Sequence, residues 1–154
     1  MCACELEKCN VASVFHETIE SRWELLDQAT ERILRLVPPV ANTPTGLEEL
    51  RLVLSEAIAN AIIHGNREDP NKKVQVCGGF EDGDRLLLVI TDQGAGFDPA
   101  SIPDPTSSQN IFATHGRGVF LMQRLMDKTE FRLGGRQVVL RRRLGLQPGS
   151  RQPG

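Results

Sequence analysis

The run Leu86-Leu87-Leu88-Val89-Ile90 constrains the fold more than any other stretch. It offers no polar face to water. In a strand, successive side chains point to opposite faces of the sheet. Both faces of this segment must therefore be covered, which places it inside a sheet rather than at its edge. Such a strand needs neighbours, and the sequence supplies them. Val74, Val76 and Phe80 form a strand pattern joined to it by Glu81-Asp82-Gly83-Asp84, a hairpin signal. Thr129 to Leu133 and Gln137 to Arg143 read as a closing hairpin around Gly134-Gly135. Asn10 to Ile19 adds a weaker strand pattern through Val11, Val14, Phe15 and Ile19.

Cover for the sheet comes from amphipathic segments. Between Glu20 and Val37, the residues Trp23, Leu26, Ala29, Ile33, Leu34 and Val37 recur at helical steps, and Pro38-Pro39 stops the pattern. A second helix is expected from about Thr45 to His64, with Leu47, Leu50, Leu54, Ala57, Ile58, Ala61 and Ile62 on a broad apolar face and Gly65 as terminator. A third, shorter one carries Val119, Phe120, Met122, Leu125 and Met126. Helices and strands are segregated along the chain rather than strictly alternating. This predicts an α+β fold, a two-layer sandwich with helices on one face of a mixed, mostly antiparallel sheet. Asp92 to Arg117 stands apart. It holds Gly94, Gly96, Pro99, Pro103, Pro105 and the polar run Thr106 to Asn110. A loop longer than about 15 residues in a compact domain is usually functional or mobile.

Composition narrows the function classes. A chain of 154 residues is one domain by default. A net charge of -2 argues against direct nucleic-acid binding, which leaves a basic footprint. No uncharged apolar run approaches the length of a membrane span. Glu5, Glu7 and Lys8 stand where a signal peptide would be apolar, so a cytoplasmic protein is expected. Cys2, Cys4 and Cys9 could supply three thiolates, but a structural zinc site needs a fourth ligand. The expected organisation is a frayed N-terminus over 1–9 with reduced thiols, a folded domain over 10–143 and a flexible tail over 144–154 rich in Gly, Pro and Arg.

Three elements carry chemistry. Glu56, Asn60 and His64 follow one another at steps of four, which lines them along one stripe of the second helix. Polar groups among Ala57, Ile58, Ala61 and Ile62 face either solvent or a ligand cleft, since unpaired burial costs several kcal/mol. In a cleft, the carboxylate can act as base and the amide oxygen can bind Mg²⁺. Asp92-Gln93-Gly94-Ala95-Gly96 follows the apolar strand. It is either an ordinary turn or a place where Asp92 accepts a hydrogen bond from an exocyclic amine while the glycines let backbone approach a flat ring. His115-Gly116-Arg117-Gly118 opens the third helix, where backbone N–H groups and the helix dipole favour an anion. Arg117 can add a charge-assisted bond to phosphate.

Taken in order, these elements resemble the Bergerat-fold (GHKL) ATP-binding superfamily, which includes histidine-kinase catalytic domains, gyrase and MutL. The stretch Leu54-Ser55-Glu56-Ala57-Ile58-Ala59-Asn60-Ala61-Ile62-Ile63-His64-Gly65 is most similar to the first motif of the anti-sigma-factor serine-protein kinases. The resemblance covers roughly Asn10 to Arg143. It implies that Glu56 is the general base, that Asn60 is the Mg²⁺ ligand bridging metal and ATP phosphates, and that Asp92 hydrogen-bonds the adenine amine. Gly94 and Gly96 match the glycines beside the base. Asp92 to His115 matches the ATP lid, and Gly116 and Gly118 match the glycines whose backbone meets the phosphates. His64 and Arg117 are added on charge and position, whereas Thr114 in the lid does not stand out from a plain loop residue.

The implied activity is phosphoryl transfer from ATP to a serine or threonine of a partner protein. The implied cofactors are ATP and Mg²⁺. The implied partners are a sigma factor, held by binding, and an anti-anti-sigma (STAS) protein, which is phosphorylated; homodimerisation is also implied. One rival is a non-catalytic module that binds ATP or merely sequesters a regulator, against which the pair Glu56 and Asn60 argues. Another is a phosphotransfer partner of histidine-kinase type, against which the missing dimerisation helices argue.

Overall fold

The computed structural model describes residues 12–37, 44–81, 85–96 and 114–143. Strands β1 (Ala12–Glu20), β2 (Lys73–Glu81), β3 (Arg85–Thr91), β4 (Lys128–Arg132) and β5 (Gln137–Arg143) form one sheet in the order β1-β2-β3-β5-β4. Each neighbouring pair is antiparallel. The apolar run occupies the middle strand, β3, and all its residues from Leu86 to Ile90 are buried. Alternation divides them. Leu86, Leu88 and Ile90 enter the main core with Val74, Val76, Val138 and Leu140. Leu87 and Val89 join Cys77 and Val139 in a separate cluster on the opposite face.

One face of the sheet is covered by α1 (Leu26–Leu36), α2 (Pro44–Ala59) and α3 (Thr114–Leu125). α1 contributes Leu26, Ala29, Ile33 and Leu34 to the core, and α2 contributes Leu50, Val53, Leu54, Ala57 and Ile58. α2 packs against both α1 and α3 and so lies at the centre of the helical layer. Arg51 on α2 ties α1 through Glu31 at 2.6 Å. The two-layer α+β sandwich expected from the sequence is the observed architecture.

Local departures have physical reasons. Trp23 was expected on the buried stripe but is 52% exposed. It lies in a 3₁₀ turn, Trp23–Leu25, ahead of α1, and the tighter winding takes it off the face that α1 buries. α3 begins at Thr114, so Gly116 and Gly118 lie within its opening turns rather than ahead of it. The expected termini, the β2–β3 turn at 82–84 and the lid between 97 and 113 lie outside the described residues. Among the described residues no helix is long and apolar enough to cross a membrane, and no three His, Cys, Asp or Glu side chains group as metal ligands. Cys2, Cys4 and Cys9 lie outside that set.

Candidate nucleotide site

α2 does not end as an α-helix. From Asn60 to Gly65 it widens into a π-helical turn, closed by the bond from Asn66 N–H to Ala61 O at 2.8 Å. Such widened turns occur frequently at functional sites. Here the turn carries Ala61 and Ile62 into the core while Asn60, His64 and Gly65 line a pocket. The stripe inferred for an unbroken helix is therefore bent between Asn60 and His64.

The pocket encloses about 520 Å³, mouth included, between α2, the ends of β3 and β5, and α3. Asn60, His64, Asp92, Gly96 and Arg136 supply polar or backbone groups, and Ala57, Ile90, Met122, Phe131 and Val138 supply apolar walls. A mostly apolar pocket with a few polar groups suits a heteroaromatic ring.

Asp92 is set rigidly. It is only 9% exposed. Its backbone N–H donates to Arg136 O at 2.8 Å, and its Oδ1 accepts from Gly94 N–H at 2.8 Å. Burial pushes its carboxyl above the ordinary value, opposed by the Gly94 N–H and by the charges of Arg136 and Lys72. The glycines around it are required by close approach. A Cβ on Gly65 would stand 2.4 Å from the Asp92 carboxylate, and one on Gly94 would stand 2.0 Å from Gly65 O. Gly96 takes a φ of +82°, and a side chain there would meet Gly134 O at 2.1 Å.

Beside the pocket, α3 crosses α2 at Gly118. A Cβ there would lie 2.8 Å from Glu56 Oε2 and 3.1 Å from Asn60 Nδ2. Glu56 and Asn60 thus face one small gap between two helices, and the missing side chain of a buried glycine keeps it open. Of the residues singled out in the sequence, the fold gathers Asn60, His64, Asp92 and Gly96 in the pocket, and Glu56 and Gly118 next to Asn60. Gly94 packs under Asp92 rather than lining the pocket. Gly116 and Arg117 lie in the backbone of α3, with the Arg117 and Thr114 side chains outside the described residues. Sequence reasoning missed Arg136, Phe131 and Gly65 as lining residues. Gly134-Gly135 was read only as a turn, although a turn ending beside Asp92 brings its next residue to the same cavity.

Residues 11–142 match the family model described as histidine kinase-like ATPase domain. The chain belongs to that family, within its anti-sigma factor serine-protein kinase branch. This histidine kinase-like ATPase is 33% identical over 120 residues to the anti-sigma F factor of Geobacillus stearothermophilus, covering 73% of this chain and 78% of that one. It is 34% identical over 89 residues to the serine-protein kinase RsbW of Bacillus subtilis, covering 53% of this chain and 54% of that one. An anti-sigma F factor of another Geobacillus strain, WCH70, is 39% identical over 88 residues, 53% of this chain and 57% of the relative. An ATPase domain of this family uses ATP.

Proposed function

We propose that this chain is an anti-sigma regulatory factor with ATP-dependent serine/threonine-protein kinase activity. The observation that carries the reading is the juxtaposition of Glu56, Asn60 and Gly118 at the edge of a pocket floored by Asp92. The residues fit a magnesium nucleotide. A Cβ at Gly118 would fill the gap, and that gap is bordered by an amide oxygen and a carboxylate, the hard oxygen donors that Mg²⁺ takes. When bound, Mg-ATP supplies the phosphoryl group and the cation that offsets its charge.

Asp92 would accept the hydrogen bond of the adenine amine, with Gly96 bringing the adjoining backbone to the pocket wall and Gly94 letting that loop pack against Gly65. Asn60 would hold the cation through its amide oxygen. Gly116 and Gly118 present α3 backbone toward the phosphates, and Arg117 and His64 add polar contacts there. Glu56 takes the proton of the attacking serine or threonine hydroxyl as its oxygen bonds to phosphorus and ADP departs. Most of the rate enhancement comes from positioning and electrostatics. A sigma factor is the sequestered partner, an anti-anti-sigma STAS protein is the phosphate acceptor, and the working form is a homodimer in the cytoplasm.

The test is to incubate the protein with Mg-ATP and a candidate STAS partner and to detect phosphoserine or phosphothreonine by mass spectrometry. Transfer is expected, and Glu56→Ala is expected to lower its rate at least 100-fold, at the lower end of general-base effects of about 10²–10⁴. Undiminished transfer by that variant would sink the base assignment. Partner binding without transfer by the wild type would point to a sequestering module.

A further inference from the structure

Just past the π turn, Asn66 is completely buried and uses its whole side chain. Its Nδ2 donates to Ser21 Oγ at 2.7 Å and to Lys73 O at 3.0 Å. Its Oδ1 accepts the Gln93 backbone N–H at 2.8 Å. Ser21 Oγ in turn donates to Lys72 O at 2.6 Å, and Gln93 Oε1 accepts Lys73 N–H at 2.7 Å. One amide therefore joins the end of the α2 turn to the exit of β1, the start of β2 and the exit of β3. The next two residues, Arg67 and Glu68, both take positive φ, 51° and 55°. Side-chain-bearing residues held there cost energy and persist only where their surroundings over-determine them.

The consequence falls on Asp92. The two peptide groups that flank its Cα are each held: the one before it by Asp92 N–H donating to Arg136 O on β5's side, and the one after it by Gln93 N–H donating to Asn66 Oδ1 on the α2 side. Between these grips the carboxylate lies against Gly65, with no room for a Cβ. We propose that Asn66 is a positioning residue for nucleotide recognition: through the Gln93 peptide it sets the height and angle at which the Asp92 carboxylate meets the base. This rests on the reading of Asp92 as the purine anchor. Asn suits the position chemically, because only an amide both donates twice and accepts once here while remaining neutral.

The experiment compares binding of Mg-ATP and Mg-ITP by calorimetry, alongside thermal unfolding. Inosine has a carbonyl oxygen where adenine has its amine, so the affinity ratio reports the Asp92 contact itself. The wild type is expected to prefer ATP. Asn66→Ala is expected to cut that preference about 10-fold, as well as to lower Tm. Asn66→Asp keeps an oxygen for Gln93 N–H but loses both donors, so Tm should fall while the preference holds within about twofold. Should Asn66→Ala fail to fold, Asn66→Ser takes its place, because its shorter side chain leaves Gln93 N–H without the oxygen that now accepts from it while keeping a hydroxyl in the buried space. An approximately threefold loss of preference there supports the proposal, and an unchanged ratio overturns it. A folded Asn66→Ala with wild-type preference, or an Asn66→Asp that loses it as fully as the alanine variant, also overturns it. A wild type that binds both nucleotides equally removes Asp92 as purine anchor and the proposal with it.

Discussion

Asp92 carries a cost that its position makes useful. Its carboxyl is raised by burial, so the folded protonation constant exceeds the unfolded one. Its contribution to stability is then complete below the ordinary value, near 3.8, and is lost as pH rises through the folded value. Ionising this carboxyl in the folded protein therefore costs stability. Asp92→Asn keeps an oxygen for Gly94 N–H and removes the charge. It is expected to raise Tm at pH 7 and to flatten the stability profile above about pH 4. The same variant is expected to lose about 10–100-fold in ATP affinity, the worth of a hydrogen bond to a charged group. Unfolding scans across pH and nucleotide titration check both halves. Gly118 offers a sharper separation of stability from activity. Alanine is better than glycine in a helix interior by about 1 kcal/mol, and the atoms it would strike are the ends of the Glu56 and Asn60 side chains, which can swing away. Gly118→Ala should therefore unfold at the same temperature or higher. Displacing those groups by about 1 Å should nevertheless slow phosphoryl transfer about 100-fold.

At the scale of elements, the joint between the π turn and the Asp92 loop is the tightest contact in the site. Gly94 meets Gly65 backbone, which cannot move aside as a side-chain tip can. Gly94→Ala is expected to destabilise by about 1–3 kcal/mol, the cost of overpacking, and to weaken nucleotide binding in parallel; chemical denaturation with and without ATP measures it. The elements themselves were largely legible. β3 was placed from its unbroken apolar run, α1 and α2 from three- and four-residue recurrence, and the closing hairpin from Gly134-Gly135, whose Gly134 takes φ +64°. The π turn was not legible, because Asn60-Ala61-Ile62-Ile63-His64-Gly65 continues the apolar spacing of α2 without a break. Nor was the exposure of Trp23, since a 3₁₀ turn and the first turn of an α-helix look alike in sequence. The basic run Arg141-Arg142-Arg143 resolves by strand alternation. Arg141 pairs with Glu81 at 2.8 Å, while Arg142 turns to Glu49 on α2.

Across the whole molecule, the site is assembled from segments far apart in the chain and held by one core. The floor comes from β3, the wall from β5 and the polar stripe from α2, all anchored by Ile58, Ile62, Leu88, Ile90 and Leu140. Ligand binding should therefore report on global stability. Mg-ATP at 100 times its Kd is expected to stabilise by about 2.7 kcal/mol, raising Tm by roughly 5–10 °C for a domain of this size. Differential scanning fluorimetry with and without EDTA checks the effect and its dependence on the cation.

Sequence alone determined the layers and the chemical cast. Hydrophobic periodicity dictates which face of each segment must leave water. Glu56, Asn60, Asp92 and the glycines that follow it stand out because polar or featureless residues interrupt that pattern. Only the tertiary structure decided the distances. That Gly118 abuts Glu56 and Asn60, that Arg136 grips Asp92, and that Asn66 braces Gln93 are contacts between distant segments. Such contacts depend on how helices cross and where strands end, and local spacing carries no information about either.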